Sequence, residues 1–152
     1  MFGPEEAQVK KAGALLAVVL LVAIGSGALY AAEALELDSD GDGKADQWYD
    51  MDGTHVSGMR SDRDGDGRVD YYARYSAGEA VEYEEYDFNY DGKMDDFYFY
   101  LRGILIRQEI DTNFDEKIDL WVYLHKGIYV ERYEQDTNFD GKKDRVVDYA
   151  KR

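Results

Sequence analysis

The sequence has no cysteine, one proline and only two histidines in 152 residues. The missing cysteines exclude disulfides, thiol catalysis, zinc–thiolate sites and iron–sulfur clusters. Basic residues are also scarce, with 18 Lys and Arg against 33 Asp and Glu, and the net charge is -15. That charge disfavours nucleic acid as a partner, because phosphate backbones repel it. Aromatic residues make up 14% of the chain, which is too many for a disordered acidic tail, so we expect a folded protein.

One long segment, residues 12–32, carries no charge. A helix of that length measures about 30 Å, enough to cross a bilayer core. Two interpretations remain open: a cleaved signal peptide with its apolar core at residues 12–24, or a retained transmembrane helix that anchors the protein or packs inside a polymer. Lys10 and Lys11 precede the segment, so the positive-inside rule places the acidic remainder outside the cytoplasm, at the cell surface or in the extracellular space.

The remainder of the chain is organised by an aspartate-rich repeat of nine residues. Its copies start 24, 25, 24 and 25 residues apart, begin with D-x-[DN]-x-D and end with Asp at position 9. The five copies are DSDGDGKAD from Asp38, DRDGDGRVD from Asp62, DFNYDGKMD from Asp87, DTNFDEKID from Asp111 and DTNFDGKKD from Asp136. A constant period of this size indicates a repeat architecture.

The segments between the copies have the composition of β-hairpins. Each contains an aromatic or β-branched run, a turn with glycine, and a second such run, a pattern typical of paired strands. We therefore predict a mainly β fold: about five calcium-loop and hairpin repeats in a curled antiparallel sheet or solenoid, preceded by one long hydrophobic α-helix. The predicted domains are residues 1–35, the helix, and residues 36–152, the β-repeats.

Alternation along the predicted strands places large aromatic residues on one shared face. These residues are Trp48, Tyr72, Phe97 and Trp121. The opposite face is also rich in apolar and aromatic residues, whereas an antiparallel sheet exposed on one side normally has a polar face. Either the sheet curls so that both faces are partly covered, or the aromatic face packs against other subunits or stacks on sugar rings.

The aspartate-rich loops are predicted to bind calcium. A D-x-D-x-D-G turn places side-chain oxygens around one concave bend, position 7 offers a backbone carbonyl, and the Asp at position 9 returns towards them. Oxygen ligands without sulfur or imidazole select calcium or magnesium, and calcium tolerates the irregular geometry of such loops better. Solvated acidic turns would explain neither the constant spacing nor the glycine. We predict about five Ca²⁺ ions, with the Lys and Arg residues acting through backbone carbonyls, at Asp38, Asp40, Asp42, Lys44, Asp46, Asp62, Asp64, Asp66, Arg68, Asp70, Asp87, Asn89, Asp91, Lys93, Asp95, Asp111, Asn113, Asp115, Lys117, Asp119, Asp136, Asn138, Asp140, Lys142 and Asp144.

The loops differ from an EF-hand in lacking flanking helices and a Glu at position 12. Another oxygen must therefore complete the ion's shell. Candidates stand two residues before four of the loops: Glu36, Glu85, Glu109 and Glu134. The fourth loop has Glu116 in the glycine position, where a left-handed backbone costs about 1–2 kcal/mol, so we expect weaker binding there.

This pattern resembles the EF-hand-like D-x-D-x-D-G repeats of secreted bacterial and archaeal proteins, in which calcium loops alternate with hairpins. It is also similar to thrombospondin type-3 and dockerin calcium loops and to tyrosine-rich hairpin repeats of bacterial surface proteins. The resemblance covers residues 36–149 and implies calcium and a place outside the cytoplasm.

The function predicted from the sequence is structural. We expect a calcium-stabilised subunit of an extracellular filament or surface appendage, with copies of itself as partners and a membrane contact through residues 12–32 at least before assembly. The alternative is a membrane-anchored or secreted calcium-dependent adhesin that binds carbohydrate. No catalytic constellation is recognisable, because the carboxylates are assigned to metal ions, and we therefore predict that the protein is not an enzyme.

Overall fold

The computed structural model describes residues 34–150, which are entirely β and contain no helix. Ten strands form one antiparallel sheet. Their bounds are β1 Ala34–Leu37, β2 Gln47–Asp52, β3 His55–Ser61, β4 Tyr71–Tyr75, β5 Val81–Tyr86, β6 Asp96–Leu101, β7 Ile104–Ile110, β8 Leu120–His125, β9 Tyr129–Gln135 and β10 Arg145–Asp148.

The strands lie side by side in chain order, so their connections alternate between the two ends of the sheet. The five aspartate-rich segments all fall at the same end, which we call the loop end; they are loop 1 (38–46), loop 2 (62–70), loop 3 (87–95), loop 4 (111–119) and loop 5 (136–144). Short turns at the opposite end, the turn end, connect β2 to β3, β4 to β5, β6 to β7 and β8 to β9. With strands about 4.8 Å apart, neighbouring loops are about 10 Å apart.

All four hairpins use one register, counted from the loop end. The residue after a position-9 Asp pairs with the residue before the next position-1 Asp; these pairs are Gln47 with Ser61, Tyr71 with Tyr86, Asp96 with Ile110 and Leu120 with Gln135. The register is regular for four residue pairs in each hairpin and then shifts at a bulge, whose extra residue lies on the returning strand: Ser57, Glu82, Ile106 or Glu131. The chain therefore builds the same hairpin four times.

The sheet is a single layer, since each described strand contacts only its neighbours in sequence. The predicted curling of the sheet onto itself does not occur in this range, because short connections at a constant period bring no second layer over either face. Ala73 is the one hydrophobic residue of residues 34–150 that is fully buried. Both faces are half-exposed layers of side chains instead of a closed core.

The two faces carry different aromatic sets, as alternation predicted. The tryptophan face presents Trp48, Tyr72, Phe97 and Trp121, which the strand register places in one row across the sheet. The tyrosine face presents Tyr49, Tyr71, Tyr86, Tyr98 and Tyr133. The predicted grouping of the four tryptophan-face residues is confirmed.

The predicted fold class needs one correction. Its mainly β part is confirmed, but the described structure has no long hydrophobic α-helix beside the sheet. The residues on which that helix was predicted, 12–32, lie outside the described range. Between residues 34 and 150 no helix long and apolar enough to cross a membrane is found, and the predicted transmembrane helix is not proposed again. Hydrophobicity alone could not establish that helix, because it does not specify what an apolar segment packs against.

Candidate metal-binding loops

The Asp at position 1 organises the middle of every loop. Its Oδ2 accepts the backbone N–H of position 6 at 2.6–2.9 Å in all five loops. In loops 1 to 3 its Oδ1 also accepts the N–H of position 4. The carboxylate thus faces the concave side of the turn, where it meets the other acidic groups.

Positions 3 and 5 repeat a second pair of bonds. The side-chain oxygen of position 3 accepts the N–H of position 5 at 2.9–3.2 Å. The Asp at position 5 accepts the N–H of position 7 at 2.8–3.1 Å. The side-chain oxygen of either aspartate or asparagine can accept the bond at position 3. This explains why the first two loops have aspartate there, Asp40 and Asp64, and the other three have asparagine.

The Asp at position 9 closes each loop. Its carboxylate accepts the N–H of position 2 at 2.6–3.2 Å in all five loops. Where position 2 is Ser39, Thr112 or Thr137, the hydroxyl donates to the same carboxylate. The position-9 N–H in turn donates to the residue before the loop, for example from Asp70 to the Ser61 carbonyl at 2.8 Å. This closing role was not predicted from the sequence.

Two positions in every loop have a left-handed backbone. Position 6 is glycine in four loops, and Glu116 adopts the same conformation in loop 4 with φ of 67°. Position 4 is left-handed as well, although only loops 1 and 2 have glycine there; Tyr90, Phe114 and Phe139 adopt φ of 59° to 61°. The sequence signal for these three was their alignment with Gly41 and Gly65. Four of these ten positions hold a non-glycine residue in a conformation that favours glycine, which indicates that the loop geometry is held by its hydrogen bonds.

The loops bury carboxylates at a density that is unfavourable without cations. Asp70, Asp87, Asp119 and Asp136 are each only 2% exposed. In loop 1 the carboxylates of Asp38, Asp40 and Asp42 come within 4.8 Å of one another, as do those of Asp62, Asp64 and Asp70 in loop 2. Like charges this close repel unless a cation lies among them.

The pKa shifts of the loop aspartates reflect two opposing effects, burial and hydrogen bonding. Burial raises the pKa of Asp95 in loop 3, and the nearby carboxylates of Asp87 and Asp91 add to the effect. Asp38 in loop 1 differs, because the Gly43 N–H holds the pKa of that carboxyl below its usual value. Hydrogen bonding favours the ionised form that a metal ion needs, while burial opposes it.

Basic residues at position 7 connect neighbouring loops. Arg68 in loop 2 pairs with Asp66 and donates to the backbone carbonyls of Asp91 and Tyr90 in loop 3, at 2.7 and 3.3 Å. Lys93 in loop 3 pairs with Glu116 in loop 4 at 3.2 Å. The sequence had suggested only backbone-carbonyl ligation for position 7, which stays a prediction; the contacts between loops were missed.

The four glutamates predicted to complete the ion shells lie on the tryptophan face. Three of them have other partners there: Glu85 accepts from the Tyr83 hydroxyl at 2.6 Å, Glu109 pairs with Arg107 at 3.3 Å, and Glu134 pairs with Arg132 and Lys143. Glu36 pairs in register with Trp48. Their role as metal ligands remains a prediction, and their described contacts connect them to the sheet.

The tryptophan face interleaves its aromatic row with charged residues. In register order the row reads Trp48, Arg60, Tyr72, Glu85, Phe97, Glu109, Trp121 and Glu134. Cations stack on several rings of this face. The Arg107 Cζ lies 4.0 Å from the centre of the Phe99 ring, and the Lys143 Nζ lies 4.0 Å from the centre of the Trp121 ring. Next to this row, Arg74, Phe99, Arg107 and Tyr123 line a groove of about 710 Å³.

The tyrosine face contains a hydrogen-bonded network that sequence reasoning missed. Glu84 accepts from the hydroxyls of Tyr71 and Tyr100. Asp96 accepts from the Tyr98 hydroxyl at 2.9 Å and from the Gln108 amide at 2.8 Å. Burial is the largest cause that raises the pKa of Asp96. The signal in the sequence was the presence of acidic residues on the same strand face as the tyrosines. Alternation along the strands could not show which tyrosine contacts which carboxylate.

Comparison with known proteins identifies no family. No family model matches the chain, and no curated protein matches it. Among solved structures, the chain is similar to a crystal structure of TarM, with a TM-score of 0.44 and 17% sequence identity. That match covers 62% of this chain but only 18% of TarM, and at this TM-score we take no functional information from it.

Proposed function

We propose that the protein is a calcium-stabilised structural subunit of an extracellular filament or surface appendage, and not an enzyme. The observation that carries this proposal is the row of five loops with one shared hydrogen-bond pattern, each concentrating carboxylates at the loop end. Divalent cations would neutralise that row, and oxygen-only ligands of irregular geometry favour calcium. The proposal places the repeats outside the cytoplasm, where calcium is abundant.

A structural role for the calcium follows from the thin architecture. A single-layer sheet with one fully buried hydrophobic residue in residues 34–150 has little core to stabilise it. An ion that binds only the folded chain stabilises it by about 2.7 kcal/mol per site at a hundredfold excess over its Kd. Five such sites would supply a large share of the stability that the missing second layer would otherwise provide.

Calcium titration of the purified full chain tests this proposal. We expect close to five Ca²⁺ per chain by calorimetry, and loss of the β-type circular dichroism when a chelator is in excess. Magnesium at the same concentration serves as the matched control and should restore less of the signal. An unchanged melting temperature in excess chelator would refute a structural role for the loops.

The filament itself is tested by electron microscopy of the full chain, with calcium and with chelator. Fibres that form in calcium and disassemble after chelation support the proposal. Monodisperse particles across a range of protein concentrations would contradict the filament while leaving calcium binding intact.

A second candidate function is carbohydrate binding on the tryptophan face. The observation that favours it is the single row of Trp48, Tyr72, Phe97 and Trp121, with charged residues between the rings and a groove beside them. Aromatic rings cover the apolar side of a sugar ring. The flanking carboxylates can accept hydrogen bonds from sugar hydroxyls, and the guanidinium groups can donate hydrogen bonds to them. A polysaccharide panel tests it, comparing the parent with Phe97→Ala and, as a control on the other face, Tyr49→Ala. Equal retention of both variants, or no retention of the parent, would exclude this candidate.

A further inference from the structure

The two outermost strands have a strand neighbour on one side only within residues 34–150. β10 leads out of a loop, as β2, β4, β6 and β8 do, and β1 leads into a loop, as β3, β5, β7 and β9 do. In every hairpin a strand that leaves a loop pairs with a strand that enters the next one. β10 and β1 are therefore the two kinds of strand that form each hairpin, placed at opposite sides of the sheet.

We propose that β10 of one copy pairs antiparallel with β1 of a second copy, in the register of the four hairpins, so that the sheet and its row of loops continue from copy to copy. This inference rests on the proposed function as a polymer subunit and gives it an interface. The hairpin register assigns the contacts: Arg145 lies opposite Leu37 of the next copy, Val146 opposite Glu36 and Val147 opposite Leu35.

The lengths of the two strands fit this pairing. Each hairpin is regular over four residue pairs before its bulge. β10 and β1 each contain four residues, and they occupy the same four positions relative to their loops as that regular segment. Val146 takes the place that Trp48, Tyr72, Phe97 and Trp121 hold in the other outgoing strands, and it is 57% exposed. Across the junction it would meet Glu36, as Trp121 meets Glu134.

The loop end supplies a second, independent match. The N–H of a position-1 Asp donates to the carbonyl of the preceding position-9 Asp at all four loop junctions, at 2.8–2.9 Å. The position-1 aspartates at those junctions are 2–8% exposed. Asp38, in loop 1, is more exposed than they are, and Asp144, in loop 5, is more exposed than the buried Asp70, Asp95 and Asp119. A second copy would place Asp38 N–H against the Asp144 carbonyl and cover both.

The distribution of lysines between the two outer loops favours this order of copies. Loop 1 has four aspartates and one lysine, whereas loop 5 has three aspartates and the two lysines Lys142 and Lys143. At position 7, Arg68 and Lys93 each reach the loop that follows their own. Lys142 occupies position 7 of loop 5. It could therefore contact loop 1 of the next copy as Arg68 and Lys93 contact the loops that follow theirs.

Such an interface joins two different surfaces, and it therefore propagates as an open filament instead of closing as a two-fold dimer. Ten strands at about 4.8 Å each give an axial repeat of about 48 Å per copy. The loops of all copies would face the same side, in one continuous row.

Cysteine cross-linking tests the register, and the chain suits it because it has no cysteine of its own. Residues opposite each other on adjacent strands have Cα atoms about 4.5–5.5 Å apart, a separation that a disulfide can bridge. We would mix full-length Val147→Cys with full-length Leu35→Cys in calcium under mild oxidation. The expected product is a heterodimer on a non-reducing gel, and the double variant in one chain should give a ladder of multimers.

Three controls make each outcome decisive. Val146→Cys mixed with Leu35→Cys places the thiols on opposite faces and should cross-link at least tenfold less. The Tyr49→Cys, Met59→Cys double variant tests the same register inside one hairpin and should form an intramolecular disulfide. Calcium stoichiometry and melting are measured on every variant, which separates failure of this interface from failure of the calcium proposal.

Two results would overturn the inference. If the hairpin control oxidises and the variants bind calcium while the mixture gives no heterodimer, β10 does not pair with β1. If Val147→Cys alone forms a homodimer as readily as the mixture forms a heterodimer, the sheets join through two copies of β10. A heterodimer with the predicted face preference, and an axial repeat near 48 Å in fibres, would support the inference.

Discussion

The two ends of the sheet reverse the chain in different ways. At the loop end, five nine-residue segments share the hydrogen bonds made by positions 1, 3, 5 and 9 to the N–H groups of positions 6, 5, 7 and 2, two left-handed positions and a closing aspartate. At the turn end, the connections differ in length, from two residues between β2 and β3 to five between β4 and β5. Every register shift falls on the turn side of its hairpin. The loops therefore set the register of the strands, and the turns accommodate what remains.

The largest expected effect is the removal of calcium, because it acts on one end of the sheet alone. With five sites at about 2.7 kcal/mol each for a hundredfold excess over Kd, chelation should unfold the repeats or lower the melting temperature by tens of degrees. Differential scanning calorimetry in calcium and in chelator measures this. If the melting temperature changes by only a few degrees, the loop end is not stabilised by ions and the contrast between the two ends is merely geometric.

Replacing one aspartate with alanine at each end compares how much the two ends contribute to stability. Asp119→Ala at the loop end removes the acceptor for the Thr112 N–H and hydroxyl, both at 2.8 Å, as well as a proposed ligand. In calcium we expect a loss of about 1–3 kcal/mol in the free energy of unfolding, since two hydrogen bonds to a charged acceptor are lost. Asp52→Ala at the turn end should stay within about 0.5 kcal/mol. Urea denaturation measures both, and equal losses would contradict the special role of the loop end.

A glycine substitution separates backbone strain from ion binding. Glu116 in loop 4 and Lys126 in the β8–β9 turn are both left-handed, with φ of 67° and 54°. Replacing either with glycine should raise the free energy of unfolding in saturating calcium by about 1 kcal/mol, because the side-chain clash disappears. Only Glu116→Gly should also tighten calcium binding, as followed by titration. A similar tightening in Lys126→Gly would show that affinity depends on global stability and not on loop geometry.

The smallest expected effect concerns pH and a carboxylate beside the loop end. Burial raises the pKa of Asp96 above its usual 3.8, so the folded state holds this proton more tightly than the unfolded state does. The ionised group therefore costs stability at neutral pH, and that cost disappears as pH falls through the folded-state pKa and below 3.8. Asp96→Asn should melt higher than the parent at pH 7, with a difference that vanishes at low pH, both measured in saturating calcium. The exposed Glu131→Gln provides the control, and a difference that grows on acidification would reverse the assigned sign.

The sequence was most informative where chemistry repeats. The period, the ligand-type residues and the alternation of Trp48, Tyr72, Phe97 and Trp121 could all be predicted, because nine-residue motifs and strand parity are local properties. The left-handed Tyr90, Phe114 and Phe139 could have been found by aligning them with Gly41 and Gly65. The Tyr71–Glu84 bond and the contacts of Arg68 could not, since they depend on which strands and loops become neighbours.

By itself, the sequence determined that this chain is a β-repeat protein with acidic loops at a fixed spacing, since hydrogen bonding within a turn and side-chain alternation need no partner elsewhere. The tertiary structure decided that the hairpins lie in one layer, with all loops at one end and both faces half-exposed. That choice depends on pairing between strands, where one register brings Asp62 N–H to the Asp46 carbonyl at 2.9 Å and is repeated at each later loop. Local propensity cannot specify such a register, because strands of similar composition could pair in several ways until the closed loops fix which residues face each other.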